Sequence, residues 1–207
     1  MSKIVSKEFF SENVVKLEVD APLIARSRKA GHFVIVRVDA NGERIPLTIA
    51  DSDTEKGTIT LVIQKIGASS TKITNLNVGD ELLDVVGPLG KATHIDKFGT
   101  VVCSGGGVGV APLLPIIKAM KAAGNKVISV LAARTKDLVI LEEQVREYSD
   151  EVVIMTDDGS YGKAGRVTDG IEEIAKREKI DLCVTIGPAI MMKFVSLLTK
   201  KYDIPTV

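Results

Sequence analysis

Alternation of apolar and polar residues dominates the first half of the chain. Residues 13–20 (NVVKLEVD) and 58–64 (TITLVIQ) switch character almost at every step, and residues 33–38 (FVIVRV) are rich in β-branched side chains. A period of two marks half-buried strands. Asn41-Gly42, Lys56-Gly57, Val78-Gly79-Asp80 and Gly87-Pro88 supply turns between such segments. Closely spaced short strands, with no long amphipathic helix among them, predict a barrel or sandwich.

Near residue 99 the period changes. Residues 100–103 (TVVC) form a short apolar run, followed by Gly105-Gly106-Gly107-Val108-Gly109 and then helical spacing over 111–123. Strand-like runs at 126–131, 151–155 and 182–186 alternate with helical patterns at 138–148, 167–178 and 191–201. This alternation predicts βαβ units on a parallel sheet, with a ligand crevice at the strand C-termini. The expected class is therefore β plus α/β, with domains at 1–98 and 99–207. The join is short, so the halves are expected to pack directly and form a cleft.

Composition narrows the function classes. The chain has 207 residues, 45% hydrophobic and 26% charged, with 27 basic against 27 acidic side chains. Zero net charge speaks against nucleic acid or an anionic membrane as the main partner, since both ask for a basic surplus. Residues 1–10 lack a basic segment leading into an apolar stretch, so no signal peptide is expected. No apolar run is long enough to span a bilayer. Two cysteines, Cys103 and Cys183, lie in apolar runs and read as reduced, buried thiols of a cytoplasmic protein.

The candidate chemistry begins at the glycine loop, TVVCSGGGVGVAPL. Gly106, Gly107 and Gly109, with Val108 between them, let main chain approach a phosphate, and the helix start that follows attracts negative charge. Ala111 and Pro112 fall in the first helical turn, where a missing N–H costs little. The competing reading is a tight strand–helix turn that needs small residues. At the end of the next strand Arg134 either meets a 2′-phosphate, which favours NADPH, or makes a structural salt bridge. Asp157, Asp158 and Gly159, with Ser160, end the third strand and suit either a ribose or a solvated turn. Gly187 and Pro188 end the fourth and would let a flat ring lie over the backbone. Met191 and Met192 taken alone read as core.

The N-terminal half carries a second set. Arg44 and Thr48 stand four residues apart in an extended segment, a cation fork for a diphosphate and a hydroxyl for a ring edge. After the strand ending at Gln64 come Gly67, Ala68, Ser69, Ser70 and Thr71, another anion cradle.

Taken in order, Arg44-x-Pro46-Leu47-Thr48, Gly67-x-Ser69-Ser70-Thr71, Gly79-Asp80, Gly87-Pro88-Leu89-Gly90, the 105–112 loop and Gly187-Pro188 with Met191 resemble the ferredoxin–NADP reductase superfamily over essentially the whole chain. Gly31-His32-Phe33-Val34 resembles that family's Pro-Gly-Gln-Phe strand. The likeness is greatest to electron-transfer subunits of dihydroorotate dehydrogenase and to the alpha subunit of NADH-dependent ferredoxin:NADP oxidoreductase (sulfide dehydrogenase).

The resemblance implies a six-stranded antiparallel Greek-key barrel holding FAD, followed by an α/β domain for NAD(P)H. It implies that Arg44 and residues 67–71 hold the FAD diphosphate. Pro46, Leu47, Thr48 and Ile49, with Val62, Ile63 and Gln64, would then lie along the flavin and its ribityl chain. Residues 107–111, 157–160 and 187–191 would face the pyridine nucleotide. Hydride would pass from NAD(P)H to FAD, and electrons onward to a larger iron–sulfur or flavin partner subunit in a heteromer.

Three departures stand out. Leu47 replaces an aromatic residue that many members place before the Ser/Thr, and Ile186 replaces a cysteine before Gly-Pro. The family's longer members continue into a cysteine-rich tail that binds [2Fe–2S] through four thiolates, and two cysteines do not suffice for that cluster. The hydride step needs no side-chain acid or base, so none is assigned, and His32 and His94 read as surface or packing residues. A flavin-free dehydrogenase and a non-catalytic redox sensor or docking module are the alternatives. Arg134 leans towards NADPH; Asp157, Asp158 and the resemblance lean towards NADH.

Overall fold

In the computed structural model, which describes all residues from Met1 to Val207, the chain forms two units, Met1–Thr93 and His94–Val207. The alternation of the first becomes seven antiparallel strands: β1 (Ser2–Ser11), β2 (Val14–Asp20), β3 (Phe33–Arg37), β4 (Ile45–Asp53), β5 (Thr58–Gln64), β6 (Glu81–Leu82) and β7 (Asp84–Leu89), in the order β6-β1-β2-β5-β4-β3-β7. Two short helices, α1 (Pro22–Ser27) and α2 (Ala68–Thr74), lie between strands.

The count of seven, against the six expected, has a simple origin. β6 and β7 are one extended segment interrupted at Leu83. Its first part pairs with β1 (Ser2 opposite Leu82), its second with β3 (Arg37 opposite Asp84), and the N–H of Leu83 itself donates to Val38 O at 3.1 Å. The two ends of the strand order are thus contiguous in the chain, and the barrel closes through them. Inward residues of alternate parity, among them Ile4, Leu17, Val34, Val36, Ile49, Ile59, Leu61 and Ile63, fill the interior. Gly87-Pro88 makes no turn; it lies within β7, where the β3–β7 register shifts. A Cβ on Gly87 would stand 2.7 Å from Val34 Cγ1, so the strand accepts only glycine at this irregularity.

The second unit is a parallel sheet, β11-β10-β9-β8-β12, formed by β8 (Thr100–Gly106), β9 (Lys126–Ala133), β10 (Glu151–Thr156), β11 (Lys163–Ala164) and β12 (Leu182–Ile186). Helices α3 (Val110–Ala122), α4 (Glu142–Glu147), α5 (Val167–Arg177) and α6 (Ala189–Lys201) connect and cover it. One core joins Val102, Ile128, Val130 and Cys183 of the sheet to Ile171 and Ile174 of α5 and Val195 of α6. Asn125 fixes the entry to this unit: its Oδ1 accepts from Phe98 N (2.7 Å) and Gly99 N (3.0 Å), and its Nδ2 donates to Asp96 O (2.8 Å).

The helix expected over 138–148 is shorter, Glu142–Glu147, preceded by a 3₁₀ turn at Lys136–Leu138. Ile140 and Leu141 are both buried. In a helix their side chains would diverge by about 100°; an extended Val139 and a left-handed Leu141 (φ 59°) turn both inward instead. No helix is long and apolar enough to cross a membrane.

Candidate functional site

In the barrel, strand parity sorts the expected residues. Ile45, Leu47 and Ile49 pack against the core, and Ile63 is buried there too. These side chains face away from any ligand on the outer surface and leave only their main chain to it. The outward set comprises Arg44 just before β4, Pro46 and Thr48 on β4, and Val62 and Gln64 on β5. Register continues this surface across β3 and β7: Pro46 lies opposite Ile35, which lies opposite Val86, and Thr48 lies opposite Phe33, which lies opposite Leu89. The result is a partly apolar outer face edged by a cation.

Arg44 has donors to spare. Its side chain is 58% exposed and meets Asp84 Oδ2 at 3.3 Å, while Arg37 approaches the same oxygen more closely, at 2.7 Å. One of five guanidinium donors is thus engaged.

Gly67 caps α2 in extended geometry, and an ideal Cβ built on it meets nothing within 4 Å. Ser70 Oγ accepts from the N–H of Ile66 and of Gly67, both at 3.0 Å, which ties the turn to the helix. The next N–H groups, of Ala68 and Ser69, have no acceptor in the helix. Ser69 Oγ donates to Glu43 Oε2 at 2.5 Å, Lys72 pairs with Asp39, and the 39–44 segment is thereby strapped to α2. The Thr71 N–H returns to Gly67 O at 2.9 Å.

The glycine loop of the second unit is made differently. β8 runs through Gly105 and Gly106, which pair with Leu131 and Ala132, and a 3₁₀ turn, Gly107–Gly109, leads into α3. Each glycine does a separate job. A Cβ on Gly105 would press on Val110 and Leu113, and one on Gly106 would strike Met191 Sδ. Gly107 has φ 55° and open space on its Cβ side. Gly109, read from the sequence as an approach for phosphate, instead lies against the β12–α6 turn: its Cβ would collide with the Ile186 carbonyl oxygen and stand 2.9 Å from Gly187 Cα. The open glycine is Gly107. Val108 is half-buried, Ala111 is buried in the first turn of α3, and Pro112 is its third residue. Neither α2 nor α3 carries an acid in its first turn, so no carboxylate competes for an anion at either start.

The loops after β9 and β10 are laced together. The N–H groups of Asp157 and Asp158 donate to Ala133 O (3.1 Å) and Arg134 O (3.3 Å), and Lys136 N donates to Ser160 Oγ (2.9 Å). Ser160 binds back to Asp158 Oδ1 through both its hydroxyl and its N–H, which holds the Asp158 carboxyl below the usual range. Both aspartates are exposed, but Asp158 is engaged as a loop brace. Arg134 forms no structural salt bridge; its guanidinium is exposed. Pro188 is exposed at the start of α6, and Met191 folds back over Gly106 and Gly187.

His32 Nδ1 accepts from Lys29 N at 3.0 Å and closes a turn, and His94 is exposed beside Asp96. Burial raises both thiols, Cys183 to about 12.

Residues 1–94 match the oxidoreductase FAD-binding domain, and residues 104–197 the oxidoreductase NAD-binding domain. A relative from Thermotoga maritima, described as a homolog of the electron transfer subunit of dihydroorotate dehydrogenase B (NAD(+)), is 42% identical over 99% of this chain and 72% of its own length. The Bacillus caldolyticus electron transfer subunit is 33% identical over 92% of this chain and 75% of its own. A solved NADH-dependent reduced ferredoxin–NADP oxidoreductase, studied for flavin-based electron bifurcation, superposes with a TM-score of 0.94 at 40% identity, covering all of this chain and 74% of that one.

Proposed function

The chain belongs to the FAD- and NAD-binding oxidoreductases of the ferredoxin–NADP reductase type, together with the dihydroorotate dehydrogenase B electron transfer subunits, and on that premise we propose how its own residues serve an electron-transfer subunit. The observation that carries the assignment is a pair of glycine turns, at Gly67 and Gly107. Each is open on its Cβ side, and each leads into a helix without an acidic first turn.

Arg44, with the N–H groups at the start of α2, holds the FAD diphosphate, and its spare donors suit two phosphate oxygens. Pro46, Thr48, Val62 and Gln64 present a surface for the ring system and its chain, with the Thr48 hydroxyl bonding a ring edge. Gly107 and the start of α3 take the pyridine nucleotide diphosphate. A flavin held there would supply the redox chemistry, coupling a two-electron hydride donor to one-electron acceptors. No side chain here needs to move a proton for that transfer.

NADH is the preferred donor. Asp157 is exposed at the strand end where a carboxylate would repel a 2′-phosphate, and the dihydroorotate dehydrogenase B relatives' names carry NAD(+). Arg134, exposed without a carboxylate partner, favours NADPH as the second reading. Electrons leave for an iron–sulfur or flavin subunit with which the chain forms a heteromer. Two free, buried cysteines fit the reducing cytoplasm.

An absorption spectrum of the FAD-reconstituted protein, recorded without oxygen before and after each nucleotide, tests the reading. Bleaching by NADH ahead of NADPH is expected. A chain that retains no flavin, or flavin that neither nucleotide reduces, sinks it.

A further inference from the structure

One buried polar group in the second unit is used neither by the fold nor by the function proposed above. Thr185, near the end of β12, is 9% exposed, and its Oγ1 is buried without a hydrogen-bond partner. Its main-chain N–H is satisfied, donating to Val207 O at 2.9 Å, so the deficit is the hydroxyl's alone. An unpaired buried hydroxyl is costly where valine would fill the same space without the penalty.

Strand parity shows on which face of the sheet this side chain lies. Cys183 and Val102 belong to the core beneath α5 and α6. Thr185 and its register partner Ser104 lie two residues further along the same two strands, on the same face. Ser104 Oγ finds an acceptor, Val184 O, at 3.5 Å. Two residues further again come Gly106 and Gly187, and the Cβ of each would run into Met191. The one on Gly187 would lie 2.5 Å from Met191 Cε and 2.9 Å from Sδ, and the one on Gly106 would fall on Sδ. The Met191 thioether thus occupies the room left by two missing side chains, one layer above the Ser104–Thr185 pair. Methionine is unbranched and flexible, so it can leave this seat by side-chain rotation alone.

The residues framing the seat, Gly106, Gly187, Pro188 and Met191, are uncharged. A phosphate would find no cation among them. A primary amide both donates and accepts, as a hydroxyl does. We propose that Met191 is a displaceable cover and that the Thr185 hydroxyl beneath it binds the carboxamide of a nicotinamide ring once Met191 has swung out. This rests on the dinucleotide reading above and adds a positioning residue to it.

Calorimetric titration of the flavin-loaded chain with NAD+ and with ADP-ribose, which lacks the nicotinamide, separates the two ideas. Thr185→Val is expected to weaken NAD+ about five- to tenfold, the worth of one net hydrogen bond. It should leave ADP-ribose binding unchanged and raise the melting temperature of the unliganded protein. Thr185→Ser should restore NAD+ binding. With 13C-methyl methionine, the Met191 resonance (assigned through Met191→Leu) should move with NAD+ and stay in place with ADP-ribose. Unchanged NAD+ affinity in Thr185→Val, an equal loss for ADP-ribose, or a Met191 resonance indifferent to NAD+ overturns the inference alone. A parent chain that binds neither ligand overturns the dinucleotide reading with it.

Discussion

Around Gly67 the chain is held by side chains: Ser70 on the turn, Glu43 on Ser69, Asp39 on Lys72, and two arginines on Asp84. Around Gly107 it is held by main chain and absent side chains, with Gly105, Gly106 and Gly109 each closed upon by a neighbour. The first arrangement depends on charge and tolerates added volume. The second carries no charge and tolerates almost no volume. Two glycine turns that look alike in sequence should therefore fail in opposite ways.

The sharpest break of that contrast is Gly109→Val. Its side chain has nowhere to go but the Ile186–Gly187 backbone, and the expected loss is about 3 kcal/mol or more in the second unit. Urea unfolding reads it, with flavin binding by the barrel retained; parent-like stability would refute the packing account. Next comes Arg44→Ala, expected to weaken FAD retention by about 1.5–3 kcal/mol, the range for hydrogen bonds to charged groups. Bound flavin per chain after gel filtration measures it, and added salt should mimic the mutation in the parent.

Smaller effects follow. Gly107→Ala places a side chain at φ 55° and should cost about 1 kcal/mol of stability, whereas Gly67→Ala, at φ −138° with open space, should be nearly neutral. Equal melting temperatures for the two variants would remove the distinction. Finally, Lys201, Tyr202 and Lys176 hold the Glu172 carboxyl at about 2, down from 4.5. A depressed acid contributes stability above its ordinary pKa and loses it as pH falls towards the folded value. Glu172→Gln should therefore lower the second unit's stability slightly at pH 7, flatten its acid limb between pH 4.5 and 2, and converge with the parent at the acid end.

Much of this architecture is legible as periodicity. β2 and β5 have clean alternation because one face of each is buried and the other is wet. β1 has none to read, since Ile4 is its sole buried residue, and it emerges only through its partners. The site was partly legible for a similar reason. Arg44, Thr48 and the two glycine turns announce themselves by residue type. Which of Pro46, Leu47, Thr48 and Ile49 face outward depends on where the core lies, and parity settles that once the register is known. Gly107 and Gly109 are indistinguishable in sequence because what presses on Gly109 is a turn nearly eighty residues later. Thr185 gave no signal at all: a β-branched residue in VTIGP is an ordinary strand former.

The broken strand at Leu83 bears on how the barrel is made. The second neighbour of β1 is Glu81–Leu82, so its ring of hydrogen bonds cannot be completed until nearly the whole unit has left the ribosome. Pairings between such distant residues form slowly. During synthesis the opening strand must wait, one edge bare, and its Lys3 and Lys7 are well chosen to discourage a stranger from pairing there first.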